Sequence, residues 1–229
     1  MTHIIDSYSK LPVGKYIEIL DLCDDDSLEE IVRQAEVNAI LADMTADEVM
    51  RLPIVEFKAM TQASHFLEEE CPTIRRGIPK TYNLAGQILE AHTDIARIST
   101  AQYVDFKTFC SDRRHNLPQI LSCFLIPKGM EYNEGYDITE VHALIREHLS
   151  VADAMNLSAF FLRRSRNLTA AMLIYSRLMT KKVKDKKKRA ELLRMIKEQW
   201  TNLAQSGDGS TWCAEYPRPR TNLGRLFGR

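Results

Sequence analysis

Five groupings of side chains in the sequence have types and spacings that bear on chemistry. Ser7-Tyr-Ser-Lys10 has the SxxK spacing, which sets a lysine amine one helical turn from a serine hydroxyl. The Ser-Asp-Asn and Lys-Thr-Gly partners of the hydrolases that use it are missing, so the match reads as a chance short pattern. Asp24, Asp25 and Asp26, followed by Glu29 and Glu30, offer oxygens to a hard cation. They lack the alternating ligands, turn glycine and closing glutamate of an EF-hand loop, and read better as anions at the positive end of a helix starting near Ser27. Cys110, His115 and Cys123 make a ligand set whose spacing fits no zinc module; thiols buried beside Phe109 and Phe124 are the expected outcome. His142 and His148 lie about 240° apart around a helix and cannot share a metal. Neither GxGxxG nor GxxxxGK[ST] occurs, so both common glycine cradles for phosphate are missing. No catalytic, cofactor-binding or metal-binding residue is assigned, and a non-enzymatic protein is expected.

The fifth grouping is electrical. Lys181, Lys182, Lys184, Lys186, Lys187, Lys188 and Arg189 place seven cations in nine residues. Arg218, Arg220, Arg225 and Arg229 follow, near Trp212, Tyr216 and Phe227. Cations interleaved with aromatics suit single-stranded nucleic acid, by neutralising phosphates and stacking bases. They suit an acidic protein partner equally well, and an exposed helical junction with a loose tail would look the same. The overall charge of zero hides this asymmetry. Residues 1–72 carry −11, residues 73–159 carry −1 and residues 160–229 carry +12. The basic end therefore favours nucleic acid, an acidic partner or the acidic end of another copy, while the acidic third would repel a polyanion.

The elements that must position these groups read as helices. With 229 residues, 45% hydrophobic and 27% charged, the chain has the composition of an ordinary globular protein large enough to bury a core. No run approaches the length of a membrane span, no signal peptide is seen, and five irregularly spaced cysteines argue against a disulfide scaffold, so a reducing cytoplasm is expected. A first helix is expected from Gly14 to about Cys23, with Tyr16, Ile19 and Leu20 inward. Capping boxes at Ser27/Glu30 and Thr45/Glu48 start the next helices, and Pro53 separates a short helix from one carrying Val55, Phe57, Met60, Phe66 and Leu67. The pattern then changes, and a small β hairpin is expected near residues 74–84, with Ala85 to Ile98 open between strand and loop. Helices resume at Thr100 to Cys110, from Leu117 to Pro127, after Asp137 and after Ser150. A further helix carries Leu168, Met172, Ile174, Tyr175 and Leu178, and a last one runs from about Asp185 to Ala204. The expected fold is thus a mainly α helical bundle with one inserted hairpin. It divides into an acidic helical subdomain (1–72), a mixed part (73–204) and a flexible basic tail (205–229), the first two sharing a core or not.

Three segments carry a family resemblance. Leu11-Pro-Val-Gly-Lys-Tyr16, then Ile98-Ser-Thr-Ala-Gln-Tyr-Val-Asp-Phe106, then Gly135-Tyr-Asp137 leading to Ser150-Val-Ala-Asp-Ala-Met-Asn-Leu-Ser-Ala-Phe-Phe-Leu162 resemble small helical proteins of the tail modules of tailed bacteriophages. That group includes tail assembly chaperones and minor tail structural proteins, and the resemblance spans residues 11–162. It implies assembly without catalysis, with tape measure or tail tube subunits as partners and self-association as a further contact. It also implies a place in the host cytoplasm or the virion. The family lends no site residues, and the basic end lies outside it. A nucleic-acid-binding protein using residues 181–229 is the competing expectation.

Overall fold

Pro12 has no N–H to lose at a helix start, and α1 (Val13–Asp24) begins directly after it. The backbone on either side of this proline is clasped to a distant corner of the chain. Pro12 faces Ser150 in an antiparallel bridge, Val13 N–H donates to the Leu149 carbonyl at 3.0 Å, and Val151 N–H donates to the Leu11 carbonyl at 2.8 Å. The structure, a computed structural model, describes residues 4–69 and 77–205. α1 buries Val13, Tyr16, Ile17, Ile19 and Leu20, as its apolar spacing predicts. Gly14 lets α1 approach its neighbour: a Cβ there would stand 3.0 Å from the Arg146 carbonyl oxygen and 2.7 Å from Arg146 Cγ.

α2 (Glu30–Ala42), α3 (Ala46–Met50) and α4 (Ile54–Ala63) follow. The Thr45/Glu48 capping box is present, with both reciprocal hydrogen bonds formed. Ser27 does not cap α2; its N–H and hydroxyl both donate to Asp25 Oδ1, a local turn that outcompetes the cap and delays the helix to Glu30. Phe57, Met60, Phe66 and Leu67 are buried, whereas Val55 is 74% exposed. The seam between α2 and α4 is polar and closed: Gln34 donates to Asn38 and Ser64, and Asn38 donates to Thr61, all four side chains being buried.

The hairpin pairs β1 (Thr81–Leu84) with β2 (Gln87–Ala91), so it lies somewhat further along the chain than residues 74–84. Its two-residue turn needs two successive positive φ angles, which Ala85 (48°) and Gly86 (90°) supply, and Asn83 Oδ1 accepts from Gly86 N–H. Gly77 and Pro79 only lead into it. A third strand, β3 (Leu125–Pro127), pairs antiparallel with β2. It replaces the end of the helix expected to reach Pro127, because α6 (Leu117–Ser122) stops early and Leu125, Ile126 and Pro127 are buried on both faces. α5 (Thr100–Phe109) precedes α6, and α7 (Ile138–His148) and α8 (Val151–Thr180) complete the packed body. Ser150 caps α8, its Oγ accepting from Asp153 N–H, so the chain turns and restarts. α8 is one continuous helix of 30 residues, joining what the sequence presents as two.

The chain is therefore mainly helical with one small antiparallel sheet. One apolar core collects side chains from both sides of residue 72, including Leu20, Leu41 and Leu67 with Leu121, Phe124 and Leu157. At its centre Phe124 stacks on Phe161 with ring centroids 4.0 Å apart and meets Phe106 edge-on at 5.0 Å. Phe124→Ala should lower unfolding free energy by about 3–5 kcal/mol in urea titration, and Gly14→Ala by about 1–3 kcal/mol, because the added methyl crowds both Cγ and the backbone carbonyl oxygen of Arg146.

Candidate interaction surface

The structure places the candidate chemical groups in unreactive settings. Lys10 Nζ pairs with Asp6 at 2.8 Å, and the Ser7 hydroxyl donates to the same Asp6 carboxylate at 3.3 Å, so the serine and the lysine of the SxxK pattern do not pair with each other. Among the described residues no group of three or more His, Cys, Asp or Glu is placed to hold a metal ion. Cys123 is buried, hydrogen-bonded to the Gln119 carbonyl and facing the Tyr132 hydroxyl at 3.9 Å; burial pushes its thiol up to about 12. Burial likewise pushes the Cys23 thiol up to about 11, so neither is a thiolate nucleophile near neutrality. Cys71 and Cys213 lie outside the described residues. Among the described residues no helix is long and apolar enough to cross a membrane.

His115 belongs to an ion network instead of a ligand set. Its ring meets Asp112 Oδ2 at 2.8 Å and Asp21 Oδ1 at 3.1 Å, hydrogen bonds that raise its pKa above the ordinary 6.5. Neighbouring Arg114 pairs with Asp21 and Asp24, tying the end of α1 to the connection before α6. These partners are some 90 residues apart in sequence, and no local signal announces them. His142 behaves oppositely: half-buried and edge-on to Phe109, it is held below 6.5 by burial.

The expected basic site sits on a helical hairpin at the far end of the chain. Val151 to Phe161 of α8 lies in the core, but beyond Ser165 only Leu173 and Thr180 of this helix are buried. The chain then turns through Lys181, Lys182 and Lys184 into α9 (Lys186–Gln205), which packs back on α8. Asp185 caps α9, its Oδ1 accepting from Lys187 N–H at 2.8 Å and Lys188 N–H at 3.1 Å. Lys181, Lys182, Lys184, Lys186, Lys187, Lys188 and Arg189 are all exposed, and no carboxylate among the described residues pairs with them. Four of these cations crowd the first turn of α9, the positive end of its dipole, where each is disfavoured by about 0.3–1 kcal/mol. Arg218 and Arg220 lie outside the described residues.

The apolar residues carried by the second half of α8 are largely exposed. Met172 is 61% exposed, Ile174 53%, Tyr175 60% and Leu178 52%. No described side chain of α9 from Lys186 to Gln199 is buried, although Leu192 and Ile196 face α8 and are half-buried. Between the two helices runs an apolar groove of about 440 Å³, lined by Leu173, Met179, Val183, Leu192, Met195 and Ile196. Sequence periodicity had located this stripe correctly as apolar but carries no information about whether anything covers it. The geometry is thus a two-helix projection with an apolar floor and a basic tip.

No protein-family model, curated protein or solved structure matches the chain. Two outcomes follow from the geometry. The His115 contribution to stability is complete below about pH 6.5 and lost as pH rises through its raised folded value, whereas that of His142 is lost as pH falls. The difference in urea midpoint between the wild type and His115→Gln should therefore shrink between about pH 6 and pH 8. Replacing Lys186, Lys187, Lys188 and Arg189 with glutamine should leave the near-ultraviolet circular dichroism of the core unchanged and slow amide exchange within α9, because it removes four cations that oppose the helix dipole.

Proposed function

We propose that this chain is a non-enzymatic assembly or structural protein of a phage tail that acts by docking partner proteins on helical surfaces. The observation that carries the reading is α9: an amphipathic helix none of whose side chains from Lys186 to Gln199 is buried, set beside an exposed apolar stretch of α8. A helix kept with its apolar side open, on a chain whose core is complete without it, is the arrangement a helix-in-groove contact needs. The resemblance over residues 11–162 supports tape measure or tail tube subunits as the partners. The place of action is then the cytoplasm of the host bacterium, or the finished virion. The raised thiols of Cys23 and Cys123 and the pairing of Lys10 with Asp6 fit a protein without catalysis.

A second reading has one observation in its favour: seven exposed cations without carboxylate partners are available to phosphates. Against it, the same surface is floored by aliphatic residues. Co-expression with the proteins encoded beside it should yield a complex with a long helical or tube-forming partner. Tyr175→Asp with Leu178→Asp should abolish that complex while leaving the circular dichroism unchanged. Submicromolar nucleic-acid binding with a log–log salt slope of about −0.7 per phosphate, and no such complex, would favour the second reading.

A further inference from the structure

The hairpin has a complement on the same molecule. At the opposite electrical end, the α1–α2 connection exposes Asp24, Asp25, Asp26 and Glu29, and the first turn of α2 exposes Ile31 and Val32 beside them. This corner is held from within. Arg33, largely covered, pairs with Glu30 at 3.0 Å and donates to the carbonyls of Asp25 (2.7 Å) and Leu28 (3.2 Å), so its charge is turned under the loop. Asp21 and Asp24 are engaged by Arg114, which leaves Asp26, Glu29 and the half-exposed Glu36 as outward anions that no cation among the described residues pairs with. The corner thus presents carboxylates around two exposed aliphatic side chains. The hairpin presents ammonium groups around exposed aliphatic and aromatic ones.

We propose that the α8–α9 hairpin of one copy docks on the Asp24–Val32 corner of a second copy, so that the chain self-associates head to tail. The inference rests on reading the hairpin as a docking surface and names its occupant. Charge complementarity is the argument: residues 160–229 carry +12 and residues 1–72 carry −11. The salt bridges of the corner run to Arg114 and Arg33, and among the described residues none joins it to Lys181–Arg189. An acidic partner at the tip also neutralises the four cations crowded on the first turn of α9. Because the two surfaces differ, the contact is heterologous: an open oligomer keeps one free hairpin at one end and one free corner at the other, and the products are open chains or closed rings. An apolar hairpin bared only at the end of such a chain is where a further tail protein would compete.

Sedimentation velocity of the full chain over a range of concentrations tests this. The weight-average mass should climb with concentration past that of a dimer and fall at high salt. Lys186→Glu, Lys187→Glu and Lys188→Glu together should weaken self-association at least about tenfold, and so should Asp26→Lys, Glu29→Lys and Glu36→Lys together. Mixing the two triple variants should restore it, since each supplies the charge that the other has lost. Glu131→Lys with Glu134→Lys, on the loop before α7, should change nothing. A wild type that remains monomeric, a closed symmetric dimer, or association indifferent to both reversals would overturn the proposal. Monomeric protein that still captures a tail partner through Tyr175 and Leu178 would overturn self-docking alone; self-docking with no tail partner captured would overturn only the tail reading.

Discussion

The backbone clasp between Leu11–Val13 and Leu149–Val151 is the constraint on which the rest of the structure depends. It joins residues nearly 140 positions apart by main-chain hydrogen bonds, so it does not rely on any one side chain. Its location decides three things together. α1 must lie along α7, close enough that a Cβ at position 14 would stand 3.0 Å from the Arg146 carbonyl oxygen. Ser150, held extended by the bridge, is free to cap α8. The direction of α8 is then fixed at its first residue, which sends its first three turns through the centre of the core.

Everything past Ser165 follows from that aim. The large aromatic cluster of Phe106, Phe124 and Phe161 is already closed by the time α8 leaves it. Continued helix therefore emerges into solvent, and only the return of α9 gives it company. Two helices can cover one line of each other, here Leu173 and Thr180 against Leu192 and Ile196, but not the flanking rows. Met172, Tyr175 and Leu178 remain bare because the geometry of a two-helix hairpin offers no third surface. Burying one such side chain is worth about 1.5–3 kcal/mol, so a partner able to cover several has a substantial driving force, with the basic tip selecting its charge.

Much of this fold was legible in the sequence where the information is local. The start of α1 at Pro12, the Thr45 and Ser150 caps and the apolar faces of α1 and α7 are all set by residues within a turn or two of each other. The mainly α class with one small sheet follows from them. The exceptions are instructive. Ser27 offered a capping pattern, but Asp25, two residues before it, formed a tighter local turn. The hairpin turn was set by Ala85–Gly86, where an alanine at positive φ gives no compositional signal. β3 is three buried residues long, too short for an alternation to show, and exists because β2 lay beside it. The basic site was legible as a run of charge. Its apolar floor was legible only as a helix face, since periodicity identifies a face and only tertiary packing decides whether that face is covered. The Arg114 network joins elements that only the fold brings together.

The central claim is that a single copy has a cooperative core ending near Ser165 of α8, with the α8–α9 hairpin standing outside it as an uncovered surface. Native-state amide hydrogen exchange on dilute full-length protein tests this most directly, because it resolves the opening free energy of each helix in one sample. Amides of Val151–Phe161 should exchange only with global unfolding, while those of α9 should exchange at least about a hundredfold faster and slow when the surface is occupied. Protection of α9 equal to that of the first turns of α8, in a dilute monomer, would contradict the account.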